Sequence, residues 1–160
     1  MKRCIPVLFL VLACGDGDPA DLSGSYTVTI TNGDNGCMTD GWMEGDSTEG
    51  IRIAVTQTGS DVAAVVEGLV GAYLTATLGS NRFQGRAVGT RLDLTLVGTN
   101  EAEIPGCRFT TDAYLDARVN GQFIEGTITY EPNTDGAAGC GLLDSCSNEQ
   151  TLVGTRPLPD

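Results

Sequence analysis

Histidine is absent from the 160 residues, and lysine occurs once, at Lys2. These gaps exclude histidine general bases, Ser-His-Asp triads and histidine metal ligands, and beyond residue 2 they exclude Schiff-base lysines. Basic charge of any kind is scarce. Nine Lys and Arg face 21 Asp and Glu, for a formal net charge of −12. Nucleic-acid binding depends on neutralising phosphates, so no nucleic-acid partner is expected. Charge-driven docking to anionic lipid is disfavoured on the same ground. An acidic surface keeps an exported domain soluble. Long apolar runs are also missing. The only candidate, Ile5 to Ala13, falls far short of the about 20 residues a transmembrane helix needs.

That short run has another use. Lys2 and Arg3 precede it, and the small residue Ala13 ends it. A basic start, an apolar stretch and a small residue before a cut site make an export signal over residues 1–13. Val11-Leu12-Ala13-Cys14 resembles the bacterial lipobox. The resemblance implies cleavage before Cys14, diacylglycerol on its thiol and acylation of the new N-terminus. The expected location is a lipid anchor in the bacterial cell envelope, most naturally at the outer membrane. Losing residues 1–13 removes Lys2, Arg3 and no acid, which takes the net charge from −12 to −14. All remaining basic residues are arginines. Residues 14–23 then read as a short acidic tether and residues 24–160 as one domain, long enough for a real core.

Cys4 leaves with the signal and Cys14 is acylated, so Cys37, Cys107, Cys140 and Cys146 remain. An even number in an exported chain implies two disulfides. Three pairings are open. Cys140 and Cys146 enclose only Gly-Leu-Leu-Asp-Ser and can close locally, which would leave Cys37 for Cys107. Zinc competes for the same residues, but the spacings do not suit it and no histidine helps.

The rest of the chain alternates with a two-residue period. Tyr26, Val28 and Ile30 share one face of a first strand over Gly24 to Thr31, and a long loop follows from Asn32 to Gly50. Ile51, Ile53 and Val55 form the next face, then Val62, Ala64 and Val66 after a turn at Gly59-Ser60-Asp61. After a turn at Leu69 to Gly71, Leu74, Ala76 and Leu78 read as a further strand face. Arg82 to Gly89 reads as a strand anchored by Phe83 and Val88, and Leu92, Leu94 and Leu96 make the cleanest strand of all. Thr99 to Gly106 reads as a loop. Ala113, Leu115, Ala117 and Val119 lead to Asn120-Gly121, a hairpin turn in which both residues tolerate positive φ. Ile124, Ile128 and Tyr130 carry the return strand, Pro132 to Asn148 makes a second long loop, and Gln150 to Thr155 is the last strand. Eight or nine strands with no helix predict an all-β fold. An antiparallel up-and-down barrel removes exposed edges, and small residues such as Ala64, Gly85 and Gly126 suit its curvature. A β-sandwich is the alternative. An outer-membrane barrel is not expected, since the strands are short and aromatic girdles are absent.

This layout resembles the calycins, the superfamily of lipocalins, avidins and fatty-acid-binding proteins. Lipocalins begin their first strand with Gly-x-Trp and pack a late arginine over that ring. Here Gly24-Ser25-Tyr26 stands at the first place and Thr155-Arg156 at the second. The resemblance implies a cation–π contact between Arg156 and Tyr26. Tyrosine replaces the usual tryptophan, and the arginine follows the last strand. Avidin-like biotin binding is not implied, because that family uses several tryptophans and only Trp42 exists here.

Candidate chemistry is sparse. Asp34, Asp40, Glu44, Asp46 and Glu49 crowd the first long loop, but their order matches no EF-hand, so no metal site is expected there. Asn133-Thr134-Asp135-Gly136 reads as a turn. Glu101 and Glu103 share one loop and cannot flank a scissile bond as glycosidase carboxyls do. Neither an enzyme nor a cofactor is expected. Arg52, Arg91 and Arg118 lie opposite the buried faces and read as surface partners for carboxylates. Met38, Trp42 and Met43 are candidates for a lid over a barrel mouth. Two roles are therefore open. The domain holds a small apolar ligand inside the barrel, or it is a solid, side-chain-filled barrel that meets an envelope protein partner. An apolar cavity of a few hundred Å³ separates them.

Overall fold

The computed structural model describes residues 19–157. The expected signal, the lipobox Val11-Leu12-Ala13-Cys14 and Cys14 itself lie outside them. Nine strands form in order: β1 (Gly24–Asn35), β2 (Ser47–Thr58), β3 (Asp61–Val66), β4 (Arg82–Val88), β5 (Arg91–Leu96), β6 (Ala102–Ile104), β7 (Cys107–Asn120), β8 (Phe123–Thr134) and β9 (Asn148–Thr155). One helix, α1 (Gly68–Leu78), stands between β3 and β4. Each strand pairs antiparallel with the next, except that β5 skips β6. β1 also pairs with β9, and β5 with β7, so eight strands close into a barrel with β6 outside the ring on β7. Closure leaves no long edge for another chain to pair with.

The alternation places one residue of every two inside. Leu92, Leu94 and Leu96 of β5 are completely buried, as are Tyr26 of β1 and Leu152 of β9. The expected faces of β2, β3 and β7 point inward as well. On β4 the buried residues are Phe83 and Ala87, while Val88 is exposed, so Val88 is not the anchor expected of it. Gly85 stands inside the barrel between them, where it lets β4 come close to the backbone of β5 at Asp93.

Four further expectations are corrected. Residues 68–78 form a helix and not a strand. Leu74 and Leu78, one turn apart, pack on the core while Leu69 points to solvent. Gly79 closes α1 in the left-handed conformation at φ 88°, its N–H bonding the Thr75 carbonyl. The Asn100 side chain donates to the same Thr75 carbonyl and to that of Ala76, at the end of the helix where carbonyls lose their intrahelical partners. The hairpin after β7 turns on Gly121-Gln122, since Asn120 already pairs with Phe123. Gly121 has φ 62° and Asn120 is not in the positive region. The two disulfides are Cys37–Cys146 and Cys107–Cys140, not the local closure of Cys140 on Cys146. Cys140 sits buried on a single 3-10 turn (Ala138–Cys140) that faces the start of β7, which brings it to Cys107. Finally, Leu22, expected to belong to the tether, is buried in the barrel.

The long loops also shorten. β1 and β2 extend to Asn35 and from Ser47, β6 occupies part of the loop expected over 99–106, and β8 reaches Thr134. The two disulfides fit an oxidising, exported setting. Among the described residues, no helix is long and apolar enough to cross a membrane.

Candidate functional site

The barrel has one end filled and one end hollow. At the filled end, residues 20–23 cross the barrel mouth. Leu22 inserts into the core, and the Tyr26 hydroxyl donates to the Leu22 carbonyl at 2.8 Å. Gln57 accepts from the Leu22 N–H and donates to the Ala20 carbonyl, each at 2.9 Å. Arg156 places its guanidinium carbon 5.7 Å from the Tyr26 ring centroid and donates to the Ser23 carbonyl at 2.8 Å. The cation–π contact implied by the lipocalin resemblance is present. Burial pushes the Tyr26 phenol above its ordinary pKa, and the Arg156 charge partly offsets this.

At the other end the side chains stop short and leave a cavity of about 300 Å³. Inward residues of β2, β3, β7, β8 and β9, such as Ile53, Ala64, Leu115, Ile128 and Leu152, line it, and Phe83 of β4 adds an aromatic wall. Helix α1 roofs it with Val70, Tyr73 and Leu74. The lining is apolar except near the mouth, where Asn32, Thr48, Tyr130 and Gln150 stand. A second space of about 510 Å³ lies outside this one, between α1 and the β1–β2 and β8–β9 connections. The two share Asn32, Tyr73, Leu74, Tyr130 and Gln150, so they form an inner and an outer chamber of one site.

Three polar side chains mark the boundary. Asn32, Tyr130 and Gln150 each continue an inward-facing series, after Ile30, after Ile128 and before Leu152. Turned inward, they need partners. The Tyr130 hydroxyl donates to Gln150 Oε1 at 2.8 Å, Gln150 Nε2 donates to Asn32 Oδ1 at 2.7 Å, and Asn32 Nδ2 donates to the Met43 carbonyl at 3.2 Å. Burial, followed by the neighbouring Tyr73, holds the Tyr130 phenol well above its ordinary pKa. Trp42 meets the Tyr130 ring edge-to-face, with centroids 6.2 Å apart and planes at 77°. Its indole N–H donates to the Gly33 carbonyl at 3.0 Å.

Both disulfides hold this end. Cys37–Cys146 ties the β1–β2 connection to the β8–β9 connection. Cys107–Cys140 ties the β8–β9 connection to the start of β7. Buried Asn148 accepts from the Cys37 N–H at 3.0 Å and donates to Thr39 Oγ1 at 2.8 Å, which fixes the loop that carries Trp42.

Of the three expected lid residues, only Trp42 lines the site. Met38 and Met43 are 71 % and 61 % exposed, and Met43 contributes just its carbonyl. Arg52 and Arg91 lie on the outer surface, paired with Glu67 and Asp116, and Arg118 is exposed as well. Glu101 and Glu103 are exposed, Glu103 opposite Arg108 in the β6–β7 register. The carboxylates of Asp34, Asp40, Glu44, Asp46 and Glu49 do not converge. Among the described residues, the one tight group of potential metal ligands is Cys107, Asp135 and Cys140, whose sulfurs are joined to each other. The residues missed in sequence are Tyr73, Tyr130, Gln150 and Asn32. Polar groups at inward register positions near strand ends were the available signal for the last three.

The chain matches no protein-family model, no curated protein and no solved structure.

Proposed function

We propose that this protein is a lipid-anchored envelope lipoprotein, lipocalin-like in build, that holds a small apolar ligand at the hollow end of its barrel. The observation that carries the reading is the inner chamber of about 300 Å³, lined by aliphatic side chains and bounded at its mouth by hydrogen-bonding groups. Small-molecule sites have this character, with apolar walls and a few placed polar groups. The Tyr26–Arg156 contact supports kinship with lipocalins.

The anchor also has a geometric consequence. Pro19 lies five residues after Cys14 and leads directly into the filled end. Five extended residues reach about 18 Å at most. A lipid on Cys14 therefore holds the filled end toward the bilayer and leaves the hollow end facing away, open to ligand.

Native mass spectrometry of protein released from its own envelope tests the ligand reading. A retained small molecule at one equivalent is the expected result, and a barrel that carries and accepts no small molecule overturns it. For the anchor, Cys14→Ser should abolish acyl mass and detergent partitioning, and a wild-type protein already without acyl mass would refute it. The rim supports a second role in meeting a protein partner, because Leu69, Leu142 and Met38 are 90 %, 73 % and 71 % exposed at the hollow end.

A further inference from the structure

We propose that the ligand is a cationic amphiphile: its apolar tail fills the inner chamber, and its ammonium head sits in the outer chamber among Trp42, Tyr73, Tyr130 and Asp40. This rests on the ligand-binding reading above and names the chemistry of the ligand.

The first argument is what the chambers lack. Among the described residues no arginine lines either one, and the single charged lining residue is Asp40. A carboxylate or phosphate head would enter without a counter-charge and would lose hydration uncompensated. The second argument is what the outer chamber offers. Trp42, Tyr73, Phe109 and Tyr130 line the same space as Asp40. Ring faces attract a cation within about 6 Å of their centroids, and a nearby carboxylate adds to that attraction. The third argument is the field at the mouth. Residues 36–49, 99–108 and 131–149, which surround the hollow end, carry ten carboxylates against one arginine, Arg108. Such a field concentrates cations at the opening and repels anions.

The inner chamber sets the tail length. A cavity of about 150 Å³ takes one benzene, so about 300 Å³ takes a tail of about twelve carbons at most. The boundary groups Tyr130, Gln150 and Asn32 already satisfy one another, so the head need not displace them. It only has to come to rest beyond them.

Trp42 is the sole tryptophan and lines the outer chamber, so its fluorescence reports occupancy directly. The test compares decyltrimethylammonium and decanoate, each below its micelle concentration, and 1-decanol below its solubility limit, with tetramethylammonium as a head without a tail. Decyltrimethylammonium should saturate at one equivalent and bind at least tenfold tighter than decanoate, with 1-decanol between them. Tetramethylammonium should bind at least tenfold more weakly than the decyl compound. In Asp40→Asn the ammonium affinity should fall threefold or more while that of 1-decanol holds. Decanoate binding as tightly as the ammonium would overturn the cationic head and leave the ligand-binding reading intact. So would an ammonium titration that climbs past one equivalent without saturating, which is surface adsorption. Asp40→Asn binding the ammonium like wild type would remove Asp40 from the head site. If none of the decyl compounds binds, by fluorescence or by calorimetry, the ligand-binding reading itself fails.

Discussion

The two ends of this barrel are built on opposite plans. At the filled end every connection is a two-residue turn: Gly59-Ser60, Gly89-Thr90 and Gly121-Gln122. Each begins with a glycine at φ near 60°, at 61°, 57° and 62°, the glycine-first pattern of type II′ turns. At the hollow end the connections are long, and they carry α1, β6 and both disulfides. The only non-glycine residues with positive φ among those described, Met38 and Ser145, also lie there, each beside a cysteine of the Cys37–Cys146 bridge. Tight turns leave little to adjust and need only burial to hold them. Long connections around a cavity give up burial and need covalent ties in its place. The comparison predicts that stability at the hollow end comes from cross-links, and at the filled end from packing.

The largest effect should come from breaking the hollow end's ties. Cys37–Cys146 closes a loop of 109 residues, and the chain-entropy account of a bridge that long gives about 5 kcal/mol. Cys107–Cys140 spans 33 residues, for which the same account gives about 4 kcal/mol. Removing each pair as a double alanine variant and measuring urea unfolding should rank them in that order. The filled end contains neither bridge, so Arg156 should stay on Tyr26 in both variants. Equal losses would overturn the ranking by loop length, and no loss from either pair would show that the connections stand without their ties.

Packing at the filled end comes next. Tyr26→Ala removes a completely buried ring and its hydroxyl bond to the Leu22 carbonyl, and large core truncations of this kind cost about 3–5 kcal/mol. The matching tyrosine at the hollow end should behave differently. Tyr130→Phe loses one hydrogen bond to Gln150, for about 1 kcal/mol, yet it should shift Trp42 emission because the two rings touch. If both changes destabilise equally, or Tyr26→Ala also moves the Trp42 spectrum, the two ends are not independent.

The same contrast explains what could be read from the chain alone. Strands whose inward residues are all apolar were legible, since Leu92, Leu94 and Leu96 leave no second interpretation. The helix was not. Val70, Leu74 and Leu78 fit a helical period, while Leu74, Ala76 and Leu78 fit an alternating one, and a short apolar run does not choose between them. The choice is made in three dimensions. β3 already pairs with β2 and β4, so the ring has no vacancy for residues 68–78, and coiled over the opening they bury Leu74 and Leu78. Disulfide pairing was illegible for a related reason. Loop length favoured the local Cys140–Cys146 bridge, but closure of the ring brings β1, β7, β8 and β9 side by side and so carries both distant partners together. The inner chamber was illegible because a cavity is a shortfall of volume that no single residue announces.

The smallest predicted effects are protonic, and they compare the ends through their tyrosines. Burial raises the phenol of Tyr26 at the filled end and of Tyr130 at the hollow end. A phenol whose folded pKa lies above its unfolded value favours the folded state fully below the unfolded value of about 10. That contribution is lost as pH rises from there through the folded pKa. Unfolding stability should therefore begin to fall above about pH 10, and in absorbance titration both tyrosinates should appear late. The two should then part on one substitution. Arg156 lowers the Tyr26 pKa against the effect of burial and is not among the causes that act on Tyr130. In Arg156→Gln, carried on Tyr130→Phe so that Tyr26 is read without its deeply shifted counterpart, the Tyr26 phenol should titrate still later. The reverse construction, Arg156→Gln on Tyr26→Phe, should leave Tyr130 where it was. A Tyr26 titration that ignores the loss of Arg156 would mean that the guanidinium is held by the Ser23 carbonyl alone and that the ring beneath it contributes only its bulk.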